Sequence, residues 1–413
     1  MSILGLDIGG ANIKGADEAG RAVSRSFAIW KHPERLADEI ASILHSFPQT
    51  ERVAVTMTAE LADCFATKSE GVRFILDAVE ASVARTLRVR SRMNELAPHS
   101  ESAGNVEGSC DPRAISVWTT AGRFMSTSEA ASQPMLVAAA NWHALATWCG
   151  REWLARSEAG TAKAPLTLTL SPEDGGEGTG SEAASSHRAV DADSSSFVTR
   201  RSSPVASALL IDIGTTTTDI IPLVDGRVVA KGLTDAGRLQ TGELSYSGVK
   251  RTPLCAIAHA VPWRDGYCPL AAELFATTLD VYLMLGDIAS NETDLETANG
   301  KPATKAAAHD RLARMLCCDR DEVSFDEAVQ IARFLADVQR QRLAGSLERV
   351  ASQLPGPCQT VVVSGSGAFL ARRLVAENRR TATANVISLD DQLSPGIAEA
   401  ACAYAVAQLC IDP

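Results

Sequence analysis

Residues 210–223 read LIDIGTTTTDIIPL, and residues 4–14 read LGLDIGGANIK. Each is an apolar run that ends in Asp-Ile-Gly and opens into small polar residues, so one device is written twice. Glycine two places after the aspartate, at Gly9 and Gly214, permits a tight turn and a close approach of backbone to ligand. Successive N–H groups in such a turn form a nest for anions. Thr215, Thr216, Thr217 and Thr218 add hydroxyl donors on one side, and Gly10, Asn12 and Lys14 offer backbone, an amide and a cation on the other. Two facing turns of this kind can hold a phosphate chain from both ends. The carboxylates of Asp7 and Asp212 alone would repel phosphate; they make sense with Mg²⁺ and its waters between. Asp7 and Asp212 are therefore expected as metal ligands. Gly9, Gly10, Asn12, Lys14, Gly214, Thr215, Thr216 and Thr217 are expected as phosphate contacts.

A third turn follows late in the chain. Residues 360–374, TVVVSGSGAFLARRL, read as a buried strand, a Gly-Ser-Gly turn and a helix. Gly365 and Gly367 would let a ligand, such as a nucleoside, lie against the backbone. Such a turn is common alone; after two Asp-x-Gly turns it joins a more specific set.

The elements that must position these turns follow from apolar spacing. Residues 3–8, 53–56 and 115–118 read as short buried strands, and 21–29 as another after the turn at Gly20. Residues 33–47 place Leu36, Ile40, Ile43, Leu44 and Phe47 on one helical face, with Pro33 suited to the first turn. A second helix is expected over 71–83, and further helices over 271–289 and 326–354. Asp280 and Asp287, seven apart on the third of these, are expected at solvated positions. This alternation predicts layered α/β domains. Residues 97–112 and 157–206 are rich in Ser, Gly, Ala and Asp with few large apolar side chains, so both are expected as disordered insertions. The expected domains are 1–156 and 207–413, separated by the longer insertion.

The chain has 413 residues, 46% hydrophobic and 22% charged, which suits a globular protein with a sizeable core. A net charge of −11 argues against general nucleic-acid binding. No apolar stretch is long enough to span a membrane, and the N-terminus goes directly into a strand-like run, so a cytoplasmic protein is expected. The ten cysteines form no C-x-x-C pair, which points to reduced, mostly buried thiols rather than a zinc site. Small-molecule substrates are the expected partners, and homo-oligomerisation stays open.

The two Asp-x-Gly turns and the late Gly-x-Gly turn together resemble the actin, sugar kinase and heat-shock chaperone superfamily. Its duplicated halves close on a phosphate ligand and a metal. The motifs DIGGANIK, TMTAELADCFATKSEGV, AGRFMS, AAANWHALA, DIGTTTTDIIP, TGELSYSGVKRTP and SGSGAFLARRL narrow the resemblance further. They are similar to the tetrahydromethanopterin-linked one-carbon transfer protein family, related to the hydantoinase/oxoprolinase group. The resemblance implies duplicated actin-like domains of ribonuclease H type facing a central cleft. It also implies a transferase of methanofuran-type cofactor synthesis, joining an aminomethylfuran diphosphate to γ-glutamyltyramine and releasing diphosphate. ATP would be possible but not required, and the threonine turn would hold a leaving group.

That reaction needs a base for the phenol. Glu60 and Asp63 follow the strand 53–56, at a connection that in the superfamily lies near the reacting end of the phosphate chain. Glu60 is the first choice; each is otherwise a helix-start or solvated carboxylate. Thr58 precedes them as a substrate contact, and Asp212 adds a catalytic carboxylate. His143 and Asn141, in the apolar run 138–146, read as site contacts or as satisfied buried groups. Arg123 reads as an anion clamp or a surface ion pair. Lys250 and Arg251 read as partners for a substrate carboxylate or as a solvated basic pair. Two other functions stay open: an ATP-dependent kinase or hydantoinase-like enzyme, and a nucleotide-binding regulator without turnover.

Overall fold

The computed structural model of the protein describes residues 2–95, 115–154 and 205–411. The segment 97–112 and nearly all of 157–206 lie outside the described residues. In the first part of the chain the elements are β1 Ser2–Ile8, β2 Asn12–Asp17, β3 Ala22–Ser26, α1 Leu36–Ser46, β4 Thr50–Met57, α2 Lys68–Glu95, β5 Ile115–Trp118, β6 Phe124–Met125, α3 Thr127–Ser132, α4 Pro134–Val137 and α5 Asn141–Cys149. The second part has β7 Ser207–Ile213, β8 Thr218–Val224, β9 Arg227–Val228, α6 Asp235–Thr241, β10 Leu244–Ser245, α7 Leu254–Ile257, β11 Ala260–Trp263, β12 Gly266–Pro269, α8 Thr278–Leu285, α9 Lys305–Arg314, α10 Phe325–Ala351, β13 Cys358–Ser364, α11 Ala368–Glu377, β14 Asn385–Ser388, α12 Leu389–Gln392, α13 Pro395–Glu399 and α14 Ala401–Ile411.

Two sheets carry the same plan. The first has the order β3-β2-β1-β4-β5-β6, the second β10-β8-β7-β13-β14 with β9 also on β8. In both, the leading strand pairs antiparallel with the next strand and parallel with one reached through a helix. β1 and β7 therefore sit inside their sheets, buried on both faces, which is why each reads as a near-continuous apolar run. This is the duplicated actin-like α/β architecture expected from the sequence.

The core between the sheets comes from α5 and α14. Leu145 and Trp148 of α5 and Val406 and Leu409 of α14 share one buried cluster with Ile3 and Ala54 of the first sheet and Leu210 and Val362 of the second. α14 ends the chain yet packs on β1. Gly5 makes that approach possible: a Cβ there would lie 1.9 Å from the Ala403 carbonyl oxygen.

Several boundaries differ from the sequence reading. Asn12 closes the first turn and opens β2, and Lys14 lies beyond the turn within that strand, because Ile13 and Ala16 bury into the sheet and draw the chain into a hairpin. β3 stops at Ser26; Phe27 and Ile29 then donate to the turn carbonyls of Ala11 and Gly10. The helix expected over 271–289 is only Thr278–Leu285. A Thr277–Asp280 capping box starts it, and Gly286 at φ 81° ends it. Asp280 is not solvated: it is fully buried, held at 2.7 Å by the equally buried Arg311. α2 starts earlier and ends later than expected. Of the nine described cysteines only Cys149, Cys358 and Cys410 are buried, so most thiols are half-exposed rather than buried.

Gly5→Ala forces its methyl group into the α14 backbone, and overpacking of this kind costs about 1–3 kcal/mol or more. Urea unfolding should show that loss, while Gly10→Ala, which meets nothing within 4 Å, should unfold like the wild type.

Candidate functional site

The two Asp-Ile-Gly units fold into the same turn. The Gly9 amide donates to the Asn12 carbonyl at 2.9 Å, and the Gly214 amide donates to the Thr217 carbonyl at 2.9 Å. The neighbouring parallel strand repeats the match: the Thr58 amide donates to Ile8 at 2.9 Å and the Gly367 amide to Ile213 at 2.8 Å. The amides of Gly10, Ala11, Thr215 and Thr216 donate to no other group among the described residues. These are the free donors an anion nest needs.

The residues around the aspartates correspond in position but not in charge. Asp7 faces Lys14 across β1/β2, whereas Asp212 faces Asp219 across β7/β8. On the other side Asp7 pairs with Thr56 and Asp212 with Ser364. The Ser364 hydroxyl bonds Asp212. In the first half, by contrast, the buried Asp7 Oδ1 and Thr56 Oγ1 have no partner. Burial pushes the Asp7 carboxyl up to about 6 against the pull of Lys14. Burial and the Asp219 charge push Asp212 up to about 7. Lys14 acts on both carboxylates and donates 2.7 Å to the Glu399 carbonyl at the end of α13. The donors are hard oxygens, short of positive charge, with one carboxylate oxygen unpartnered. This set fits Mg²⁺, with Asp7 and Asp212 as its protein ligands and phosphate or water completing the shell. Among the described residues no group of three His, Cys, Asp or Glu side chains is placed to hold an ion without such help.

The threonine run divides its labour. Thr215, Thr216 and Thr217 are half-exposed on the turn, while Thr218 is buried and bonds the Ser247 carbonyl at 2.7 Å. The loop after β10 closes on that turn: the amides of Lys250 and Arg251 donate to Thr215 at 3.0 and 2.9 Å. Gly248 permits the contact, since a Cβ there would lie 2.5 Å from Thr215 and Thr216 backbone atoms. Buried Gln339 on α10 bonds Ser247 and Gly248, each at 2.9 Å, and accepts from Tyr282 at 2.6 Å. Gly365 and Gly367 have a different use from the one expected. A Cβ at Gly365 would strike Ile213 and Asp212, and one at Gly367 would strike Ile213 and Val249. These glycines let protein, not a nucleoside, lie against the backbone on their Cβ sides, locking the late turn onto the Asp212 turn.

Glu60 is 1% exposed, and its Oε2 has no partner. Burial pushes its carboxyl up to about 7, while the amides of Glu60 and Ala139 favour the charged form. Ala139 takes a φ of 49° just before α5, a backbone conformation that L side chains rarely adopt. Asp63 is exposed and stays out of this group. His143 is buried among Trp118 and Trp142, with Nδ1 3.2 Å from the Thr147 hydroxyl. Burial and the Arg238 charge push it down to about 4, which favours the neutral ring. Asn141 bonds its neighbour's amide at 2.7 Å. Arg123 is exposed and acts on Glu129. Lys250 lies 3.7 Å from Asp294, and Arg251 stacks over Trp30, 5.2 Å from its centroid.

The sequence reading passed over Asp219 and Arg238. They form a buried ion pair, and Arg238 lies 4.1 Å from the Trp142 ring centroid. Position was the available signal for Asp219: it stands seven residues after Asp212, as Lys14 does after Asp7. Arg238 left no comparable trace.

A synthase of (γ-glutamylaminoethyl)phenoxymethyl-furanyl methanamine from Methanocaldococcus jannaschii is 27% identical over 413 residues, covering 99% of this chain and 97% of that one. The protein of the same name from Methanococcus vannielii is 30% identical over 203 residues, covering 49% of this chain and 90% of that one. Among solved structures, nucleotide-free acetone carboxylase covers 98% of this chain and 70% of its own at 10% identity and a TM-score of 0.47. No helix among the described residues is long and apolar enough to cross a membrane. The family model for hydantoinase/oxoprolinase matches residues 197–412, from just before β7 to the end of α14, and the chain belongs to that family.

Proposed function

We propose that the protein is a transferase that condenses an aminomethylfuran diphosphate with the phenol of γ-glutamyltyramine. The observation that carries this reading is the pairing of two equivalent turns with free amides and a separate buried carboxylate, Glu60, with a free oxygen. The turns suit a diphosphate; the carboxylate suits a proton. The relatives' name describes a phenoxymethyl-furan amine, the ether that such a condensation makes.

In this reaction Glu60 takes the phenol proton, the phenol oxygen bonds the furanylmethyl carbon, and the carbon–diphosphate bond breaks with its electron pair on the leaving group. A phenol has a pKa of about 10, so an ordinary glutamate near 4.3 accepts its proton at a cost of roughly 8 kcal/mol. Raised to about 7, Glu60 cuts that to roughly 4 kcal/mol. The free amides of Gly10, Ala11, Thr215 and Thr216 and the threonine hydroxyls hold the departing diphosphate, which is electrostatic stabilisation of a developing charge. Bound between Asp7 and Asp212, Mg²⁺ would neutralise the charge that appears on the diphosphate. ATP has no role here, because the leaving group arrives on the substrate.

Incubation of the protein with both substrates and Mg²⁺, without ATP, should yield the ether and free diphosphate by mass spectrometry. Asp7→Ala and Asp212→Ala should each lower the rate by about 10²-fold or more. Product only after ATP is added would replace this reading with an ATP-dependent one. The rate should rise with pH to a plateau above about 7, as Glu60 loses its proton. Glu60→Gln should remove that limb and about 10²–10⁴ of the rate. Mg²⁺ should raise the melting temperature more at pH 8 than at pH 5.5, since raised carboxyls at Asp7 and Asp212 hold protons against the metal at the lower pH. An equal shift at both pH values counts against metal binding there.

A further inference from the structure

Glu60 packs against the start of α2, where a Cβ at Gly71 would lie 2.3 Å from the Glu60 carbonyl oxygen, and charges from both parts of the chain act on it. Lys68 opens α2, in the part that carries Glu60. Asp235 opens α6, in the other part. The two form an ion pair at 3.0 Å, 22% and 25% exposed, across 167 residues of sequence. Both charges bear on the Glu60 carboxyl, in opposite senses. The amide of Ala139, before α5, also faces it, and Arg238 stands behind Asp235 at 3.7 Å.

This arrangement is informative because Glu60 is the group left out. A lysine one turn from the point where a buried carboxylate's residue packs on the same helix would ordinarily pair with it, since an opposite charge within reach favours the charged form. Here Lys68 pairs instead with Asp235, and Glu60 Oε2 stays free. A carboxylate already neutralised by lysine is a poor base; one released from lysine and buried is a better one.

We propose that Lys68 and Asp235 are positioning residues that set the basicity of Glu60 from the two parts of the chain, Asp235 drawing Lys68 away so that the carboxylate is free to take a proton. The assignment rests on the reading of Glu60 as the base. Lys68 and Asp235 touch neither reacting atom; they act through Glu60. Because the pair spans the two parts, the base is freed only where those parts face each other.

The two members of the pair make opposite predictions, which a merely structural ion pair does not. Asp235→Asn leaves Lys68 free beside Glu60 and should lower the Glu60 titration midpoint by about one pH unit. Lys68→Met leaves Asp235 unneutralised and should raise it by about one pH unit. The double variant should titrate near the wild type. The measurement is carboxyl ¹³C NMR of the full-length protein labelled at glutamate Cδ, with Glu60→Gln identifying the resonance. Circular dichroism of each variant would check folding. The acidic limb of the pH–rate profile should move with the same signs. Shifts of one sign in both single variants, or no shift in either, would overturn the proposal and leave the pair as a structural latch. Opposite shifts of the carboxyl without any ether formed by the wild type would uphold the tuning and defeat the transferase reading instead.

Discussion

Two carboxylates at the ends of two central strands, with too little positive charge around them, constrain the rest of this structure. Asp7 is buried and Asp212 partly so at the ends of β1 and β7, without a full set of cations to compensate them. Burying an ionised carboxylate without a partner is costly enough that the proton is retained instead. Lys14 serves both carboxylates, and Asp219, although paired with Arg238, still sets its charge against Asp212. What remains is an excess of negative charge beside two turns whose amides at Gly10, Ala11, Thr215 and Thr216 have no acceptor among the described residues. In the proposed reaction a cation and an anion together would satisfy both.

The supports of this gap lie far from it in sequence. α14 reaches the first sheet through Gly5, and the threonine turn is gripped by a loop that Gln339 and Tyr282 hold from two helices. The Gly248 carbonyl accepts from the Thr278 hydroxyl and from Gln339, each at 2.9 Å. Burial there converts sequence-distant contacts into a fixed geometry for Thr215 and Thr216, with little freedom left to lose when a ligand is bound.

The sequence made local devices legible. Apolar runs with Asp-Ile-Gly ends disclosed both central strands and both turns, because the whole signal lies within about ten residues. Glu60 was reached through its place after a strand. Boundaries failed where tertiary packing overrode local pattern: Lys14 joined a strand because Ile13 was pulled inward, and Thr277 and Gly286 cut a long apolar stretch to two turns. The pairings Lys68–Asp235, Arg238–Asp219 and Arg311–Asp280 were illegible for a different reason. Each charge looks like an ordinary solvated residue until the fold supplies its partner. Gly365 and Gly367 admit the Asp212 turn on their Cβ sides, a packing use the sequence does not announce, because a glycine that admits a ligand and one that admits a neighbouring strand are written alike.

The exchange of Lys14 for Asp219 at matching positions has a wider meaning. Gene duplication produces two equal jaws, and equal jaws would grip a symmetrical guest such as free diphosphate equally well in either direction. Here one jaw carries a cation and the other a carboxylate already bound to arginine. The two turns thus differ in charge. In the proposed reaction, a guest with one bare phosphate end and one esterified end would be held in a single sense, with its reactive carbon on the same side on every visit.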